Sequence, residues 1–234
     1  MKTLSKFFAI ALVATSFAAC NNAPEETVET KEAEEVKQPE QGAVSYAVTT
    51  EGDEIMWEGY KTIAGDSHTG TIQVKEGTFM VENGEVTGGS FVIDMNTISN
   101  EDLPVEGDYN KAKLEGHLKS QDFFYVEKYP TATFTITSIK AAEHGGDHAE
   151  GEAEHADYMV SGNLNMRGNE KNITFPADIT VENGIVKMTT PEFVIDRTNW
   201  EVMYLSSNLA SVAKDKAVDN NIKLRLNVKA QEKA

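Results

Sequence analysis

Apolar and polar residues alternate one by one along several stretches of this chain, and this period of two constrains the fold more than any other feature. In 131–137 alanine, phenylalanine and isoleucine alternate with threonine, and in 222–229 aliphatic residues alternate with charged or amide residues. Successive side chains of a strand point to opposite faces of a sheet, so this alternation indicates half-buried strands. Asn-Gly pairs inside 81–86 and 181–186 predict two-residue hairpin turns. The sequence therefore predicts an all-β, antiparallel fold.

One segment has helical spacing instead. Leu114 and Leu118 are four residues apart in 108–119, and Asp108 is placed to cap a short helix. The 198–219 region is ambiguous between a loop and a loop with a helical turn. Many strands, one short inserted helix and no internal repeat indicate a closed barrel or a sandwich. A barrel of about eight strands can be filled by side chains or can hold one small ligand.

The N-terminus has the pattern of an export signal. Residues 1–19 contain two lysines and then an apolar run that is shorter than the roughly 20 residues needed to span a bilayer. Cys20 is the only cysteine and follows two alanines, a placement that resembles the lipobox of bacterial lipoproteins, in which the cysteine is lipidated. The alternative is an ordinary signal peptide that happens to contain a cysteine. The lipoprotein interpretation predicts an exported protein, lipid-anchored in the bacterial cell envelope at the periplasmic or surface face of the outer membrane.

Two segments of biased composition flank or interrupt the predicted domain. Residues 20–42 join the lipidated cysteine to a Glu-rich stretch, which we predict to be a disordered acidic tether. Residues 141–157 are acidic, contain three histidines and are predicted to form a loop insertion between two strands. The domain itself, 43–230, has roughly 190 residues, which is enough for one large barrel.

The formal net charge of −17 excludes some classes of partner. Proteins that bind nucleic acid have basic stripes, and proteins that bind anionic membrane surfaces through charge have polybasic patches. We therefore expect no nucleic acid partner, and we expect membrane attachment through the N-terminal lipid. A homodimer is a further hypothesis.

The stretch 116–134, GHLKSQDFFYVEKYPTATF, contains a His-Leu pair, an Asp-Phe-Phe turn and a Lys-Tyr-Pro step before an Ala-Thr-Phe strand. This arrangement resembles the signature of the YceI-like family of lipid- or polyisoprenoid-binding proteins. Segments 88–99, 160–179 and 193–200 resemble other strands of that family, and the similarity covers about 44–229. The resemblance implies an elongated, lipocalin-like antiparallel barrel with an isoprenoid chain in its apolar interior.

Nine residues are candidates for the wall of such a cavity. Four come from the family motif, and the others come from strand alternation or, for one tryptophan, from its position in an aromatic strand. The set is Leu118, Phe123, Phe124 and Phe134 from the motif, Phe91, Ile93, Leu164 and Phe175 from alternation, and Trp57. The alternative for Phe123 and Phe124 is that they only seal the barrel end, because aromatic burial normally means core.

Three polar residues are candidates for contacts with a lipid head group. His68 and His117 could bind a polar head or act as an acid–base pair, and Arg167 could meet an anionic head such as a diphosphate. Their structural alternatives are a loop histidine, a helix-cap histidine and a hairpin-turn arginine.

The remaining histidines do not predict a dedicated metal site. His144, His148 and His155 lie in the acidic insertion, where weak binding of Zn or Cu competes with the interpretation as a solvated loop.

The chain contains no G-x-S-x-G, H-E-x-x-H or phosphate-loop motif. We therefore predict that it is not an enzyme. Its expected function is to bind, carry or sequester an apolar lipid, with no cofactor other than that lipid. The alternative is an envelope enzyme or metal-buffering lipoprotein that uses His68 and His117 or the His-rich loop.

Overall fold

The chain is described by a computed structural model. The described residues are 26–36, 42–49, 54–61, 66–142 and 156–233. The predicted signal with Cys20, and most of the 141–157 insertion, lie outside these ranges. Within them, no helix combines the length and the apolar character that crossing a membrane requires.

Eleven strands form one sheet in the described part of the chain, and all paired strands in it are antiparallel. The strands are β1 (Thr30–Glu32), β2 (Val44–Val48), β3 (Glu54–Lys61), β4 (Ser67–Glu82), β5 (Glu85–Asn100), β6 (Thr131–Ala141), β7 (Tyr158–Met166), β8 (Asn169–Glu182), β9 (Ile185–Thr189), β10 (Phe193–Asp196) and β11 (Val218–Glu232).

The sheet closes into a barrel with eight strand positions. Strands β4 to β9 pair in chain order, and β9 pairs with β11. Strand β11 returns to β4 through β2 and β3, which lie one after the other in a single position. Strand β10 continues the position of β9 along β11. The predicted antiparallel barrel of about eight strands is confirmed.

The two Asn-Gly pairs form the tight turns that the sequence predicts. Asn83 and Gly84 join β4 to β5, and Asn183 and Gly184 join β8 to β9. All four residues have positive φ, as a two-residue hairpin turn of this type requires. The β8–β9 pairing continues from its turn without a shift, so that turn sets which side chains face the barrel interior, whereas the β4–β5 pairing shifts at three places, one of them close to the turn.

The inserted helix, α1 (Lys111–Lys119), begins later than predicted. Its N-cap is Asn110, whose side-chain oxygen accepts a hydrogen bond from the amide of Lys113 at 3.0 Å. Asp108 is therefore not the cap, because the chain before Asn110 is still a loop, closed by a bond from the Lys111 amide to the carbonyl of Pro104. The ambiguous 198–219 region contains two short 3-10 helices, Arg197–Trp200 and Lys214–Lys216.

Residues 26–36 are ordered, so the prediction of a disordered tether over 20–42 is wrong for this part. Strand β1 pairs with β8, with Thr30 opposite Ile173. The amide of Val28 donates to the carbonyl of Val194 in β10 at 2.8 Å. The segment thus lies between β8 and β10. Composition alone did not predict this because an unpaired stretch of sheet edge can hold even a polar segment through backbone hydrogen bonds.

Candidate functional site

One end of the barrel contains a cavity of about 490 Å³. Its wall comes from β3, the first residues of β4 and β11, the last residues of β5 and β7, α1 with the loops on either side of it, and the segment that follows β10. Most of the lining side chains are aliphatic or aromatic, and they include Ile55, Ile72, Met95, Ile98, Leu114, Met166, Ile222 and Leu224. A cavity of this size and character is suited to an apolar ligand.

Six of the nine predicted wall residues line this cavity. The six are Trp57, Ile93, Leu118, Phe123, Phe124 and Leu164. The two adjacent phenylalanines follow α1 directly, and the amide of Phe124 donates to the carbonyl of Leu118 at 3.1 Å. Phe123 is buried and Phe124 is half-buried. They both line the cavity and close its end, and ligand contact by these six residues stays a prediction.

Phe91, Phe134 and Phe175 lie outside the cavity wall. Phe175 stacks on Phe193 with ring centroids 4.7 Å apart. The Phe134 ring lies so close to Gly162 that a Cβ added there would fall 2.2 Å from it. These rings fill the other half of the barrel. Alternation predicted correctly that they point inward, but it gives no position along the barrel axis.

An aromatic cluster forms part of the cavity wall around His117. The imidazole makes edge-to-face contacts with Phe123, at 5.1 Å between centroids, and with Tyr204, at 4.6 Å. Its Nε2 lies 3.4 Å from a carboxylate oxygen of Asp122. His117 therefore packs as a ring in the wall, and its polar edge is directed to a partly exposed carboxylate.

Arg197 is the charged residue most deeply buried at this site, with 1% of its surface exposed. Its guanidinium donates to backbone carbonyls of both β11 and the segment after β10, including those of Tyr204 and Asp219, each at 2.9 Å. Burial lowers the pKa of Arg197 to about 10, so the side chain stays cationic at neutral pH. Arg197 thereby holds in place the loop that contributes Tyr204 to the wall.

His68 lines the cavity and is held by a network of hydrogen bonds. Its Nδ1 lies 2.8 Å from Oδ2 of Asp102, and its Nε2 lies 2.9 Å from the hydroxyl of Tyr109. The second oxygen of Asp102 accepts from the amide of Thr69 at 2.8 Å and from Nδ2 of Asn100 at 2.6 Å. Asn100 is fully buried, so the network is anchored in the barrel.

The same network sets the charge of Asp102. Partial burial alone would raise the pKa of this carboxyl, but the hydrogen bonds from His68, Thr69 and Asn100 outweigh burial and leave the pKa below its ordinary value. Asp102 is thus a carboxylate at neutral pH and can only accept hydrogen bonds.

Arg167, the third head-group candidate, is not among the residues that line the cavity. With Gly168 it forms the two-residue turn between β7 and β8, and both residues have positive φ. Its guanidinium donates to the carbonyls of Gln121 and Glu201. The position agrees with the hairpin-turn alternative, since two of its guanidinium nitrogens donate to backbone carbonyls, while Nε is buried with no hydrogen-bond partner among the described residues.

Among the described residues, no group of three or more His, Cys, Asp or Glu side chains is placed to hold a metal ion. His144, His148 and His155 lie outside the described residues, so weak metal binding by the insertion stays a prediction.

The sequence did not identify several polar residues of this site, among them Asp102, Tyr109, Arg197 and Tyr204. Asp102 lies 34 positions from His68, and no local motif links the two. Arg197 follows a fully buried run at 193–195, and this was the one available signal, because a charged residue directly after such a strand must find buried partners.

Comparison with known families and structures agrees with this architecture. The family model described as "YceI-like domain" matches residues 46–230. Curated relatives are the proteins named YceI from Escherichia coli, 32% identical over 110 residues, and from Salmonella arizonae, 31% identical over 110 residues. Each match covers 47% of this chain and 48% of the relative. The chain thus matches about half the length of these curated relatives.

Two solved structures share the fold. One is the polyisoprenoid binding domain from Saccharophagus degradans, with a TM-score of 0.53, 14% identity, and coverage of 81% of this chain and 99% of that chain. The other is BcnA from Burkholderia cenocepacia, with a TM-score of 0.52, 15% identity, and coverage of 79% and 99%. At these identities the likeness concerns the fold.

Proposed function

The chain belongs to the YceI-like family, and on that premise we propose that it binds an apolar lipid of the polyisoprenoid type in its barrel cavity. The observation that carries the proposal is the cavity of about 490 Å³ with a mainly aliphatic and aromatic wall. The volume lies within the range of small-molecule sites. The structural neighbour from Saccharophagus degradans is named for polyisoprenoid binding, which supports the same ligand class.

The energetics of such binding are adequate without an ion pair to the head. Each buried methylene contributes roughly 0.8 kcal/mol, so a prenyl chain offers a large gross gain even after the costs of immobilisation. The function is carriage or sequestration rather than catalysis, and it operates in the cell envelope if Cys20 is lipidated.

The experiment compares thermal unfolding of the delipidated protein with and without added polyprenol. A ligand that binds only the native state, at a free concentration of about 100 times its Kd, raises the free energy of unfolding by about 2.7 kcal/mol. Wild type should therefore melt at a higher temperature with polyprenol. Phe124→Asn should lose most of this shift, because it places an amide in the cavity wall. A wild-type melting temperature that does not change on adding polyprenol would contradict the proposal.

The matched control is Tyr125→Asn, next in the chain. Tyr125 is not among the lining residues and has φ of 49°, a conformation that asparagine tolerates. This variant should keep the full ligand-induced shift. If Phe124→Asn also keeps the full ligand-induced shift of the melting temperature, Phe124 does not contact the ligand and only seals the barrel end.

A further inference from the structure

We propose that the site at His68 selects lipids whose head group donates a hydrogen bond, such as a prenyl alcohol, over lipids whose head only accepts. This inference rests on the proposed function, because it names the head group of the lipid in the same cavity. It follows from the hydrogen bonds in which Tyr109 donates to His68 and His68 donates to Asp102. Both His68 and Tyr109 line the cavity.

The direction is fixed by the carboxylate. Asp102 can only accept, so the Nδ1 of His68 that lies 2.8 Å from it carries the proton. In the neutral imidazole the other nitrogen, Nε2, then has only a lone pair. The hydroxyl of Tyr109, 2.9 Å away, must donate to that lone pair.

This arrangement presents an acceptor to the cavity in either of two positions of Tyr109. If Tyr109 stays, its hydroxyl proton is used by His68, and its oxygen has lone pairs left for a ligand. If Tyr109, which is 53% exposed on the loop before α1, moves aside, Nε2 of His68 becomes the acceptor. A ligand hydroxyl satisfies both arrangements, whereas an ether or ketone oxygen would face another lone pair.

The charges around the cavity disfavour the main competitor, an anionic head. The cationic residues that line the cavity are Lys61, Arg197 and Lys216. They are offset by two lining acids, Asp66 and Asp219, and by the carboxylate behind His68. With a formal net charge of −17 on the whole chain, a diphosphate would gain little. A neutral donor is the better match.

The test is the loss of this selectivity in Asp102→Asn, because a site that donates is satisfied by the lone pairs of an alcohol and of an ether alike. Oδ1 of Asp102 accepts from the Thr69 amide and from Nδ2 of Asn100, so the new amide must keep its oxygen on that side and turn its NH2 toward His68. Nδ1 of His68 then accepts, Nε2 carries the proton, and the chain of hydrogen bonds presents a donor to the cavity.

The probes are farnesol and farnesyl methyl ether, which share one chain, titrated calorimetrically into the delipidated full chain. Wild type should bind farnesol about five- to tenfold tighter than the ether, as expected for one hydrogen bond gained or lost. Asp102→Asn should bind the ether as well as farnesol. Asp94→Asn, which removes a carboxylate outside the cavity lining, is the control for the charge change and should keep the wild-type ratio.

If Asp102→Asn does not fold, His68→Phe replaces it and should bring the two affinities together. Equal binding of both probes by wild type, or an unchanged ratio in Asp102→Asn or His68→Phe, would overturn this inference while leaving lipid binding intact. Failure of wild type to bind either probe would overturn the proposed function and this inference with it.

Discussion

The polar residues of the cavity are held by different means according to their depth. Arg197 is surrounded by backbone carbonyls and is almost completely buried. His68 and Asp102, in contrast, have side chains that are 19% and 34% exposed. The buried residue organises a loop, and the partly exposed pair is accessible to a ligand. A cavity of this kind can therefore bind an apolar chain in its interior and orient a polar head at its rim.

Because of the hydrogen bonds to Asp102, we expect the free energy of unfolding to depend on pH. The pKa of this carboxyl is lower in the folded chain than its unfolded value of about 4, so its contribution to stability is complete above that value and is lost as the pH falls through the folded pKa. The free energy of unfolding of wild type should exceed that of Asp102→Asn at pH 7, and the difference should shrink below about pH 4.

Urea titrations of both proteins across this pH range measure the effect. Asp94→Asn provides the baseline, because Asp94 bonds only locally, to Asn96. A difference between wild type and Asp102→Asn that stays constant from pH 7 to pH 3 would show that the network does not stabilise the ionised carboxylate.

At the level of residues, the sequence predicts the apolar wall better than the polar groups. Phe123 and Phe124 were identified because they lie in a contiguous motif, and the inward direction of Phe91 because of alternation. The link between His68 and Asp102 was not predictable, because it depends on the pairing of β4 with β5 and on the chain reversal after β5. Local sequence patterns predict the direction in which a side chain points, but they do not predict the distance between side chains that are far apart in the chain.

Among the elements, the N-terminal segment is the one that most changes the view of the chain. It was expected to be a tether, yet it lies against β8 and reaches β10. Near its start the Val28 amide donates to the carbonyl of Val194, and the Thr174 amide donates to the carbonyl of Glu29. Near its end the side-chain amide of Asn163 accepts from the amide of Glu34 and donates to its carbonyl. Val28 also packs against the hydrophobic core. One half-buried valine, backbone bonds and bonds to polar side chains of the barrel thus hold an otherwise polar segment.

Val28 should be the main apolar contact that keeps the first part of this segment in place. Replacing it with asparagine removes a half-buried apolar side chain, at a cost of about 1 kcal/mol. Hydrogen exchange at the Thr174 amide should accelerate about fivefold, because local opening becomes easier by that amount. The matched control is Val36→Asn, since Val36 lies in the same segment but is 37% exposed.

Hydrogen–deuterium exchange followed by mass spectrometry measures exchange in the N-terminal segment and in β8 separately. If exchange in β8 is the same in wild type and Val28→Asn, Val28 does not hold the segment on the barrel. If Val36→Asn accelerates it equally, the docking depends on the general composition of the segment.

Strands and turns were largely predictable, because alternation and Asn-Gly pairs act within a few residues. The helix was predicted as an element, but its cap was misplaced by two residues, since Asp108 and Asn110 both have capping side chains and only the loop geometry chooses between them. The closure of the sheet into a barrel was implied by the family resemblance, because periodicity alone left a barrel and a sandwich open.

The whole molecule has an apolar cavity and a negative net charge, and we propose that it is lipid-anchored at Cys20. Charge gives no affinity for an anionic membrane, so attachment depends on the acyl chains, and more than one chain is needed for a stable hold. Cys20→Ser should move the protein from the membrane fraction to the soluble fraction of the producing bacterium. A mutant that still sediments with membranes would contradict lipidation at this position.

We propose that the cavity holds a prenyl lipid, and native mass spectrometry of the full chain, purified gently from the cells that produce it, measures this directly. The account predicts an added mass of about one lipid per chain, which organic extraction releases and fragmentation identifies as prenyl. Phe124→Asn, prepared in parallel, should retain much less of it, while Tyr125→Asn should retain the wild-type amount. A wild-type chain with no added mass, together with a melting temperature that polyprenol leaves unchanged, would contradict the account.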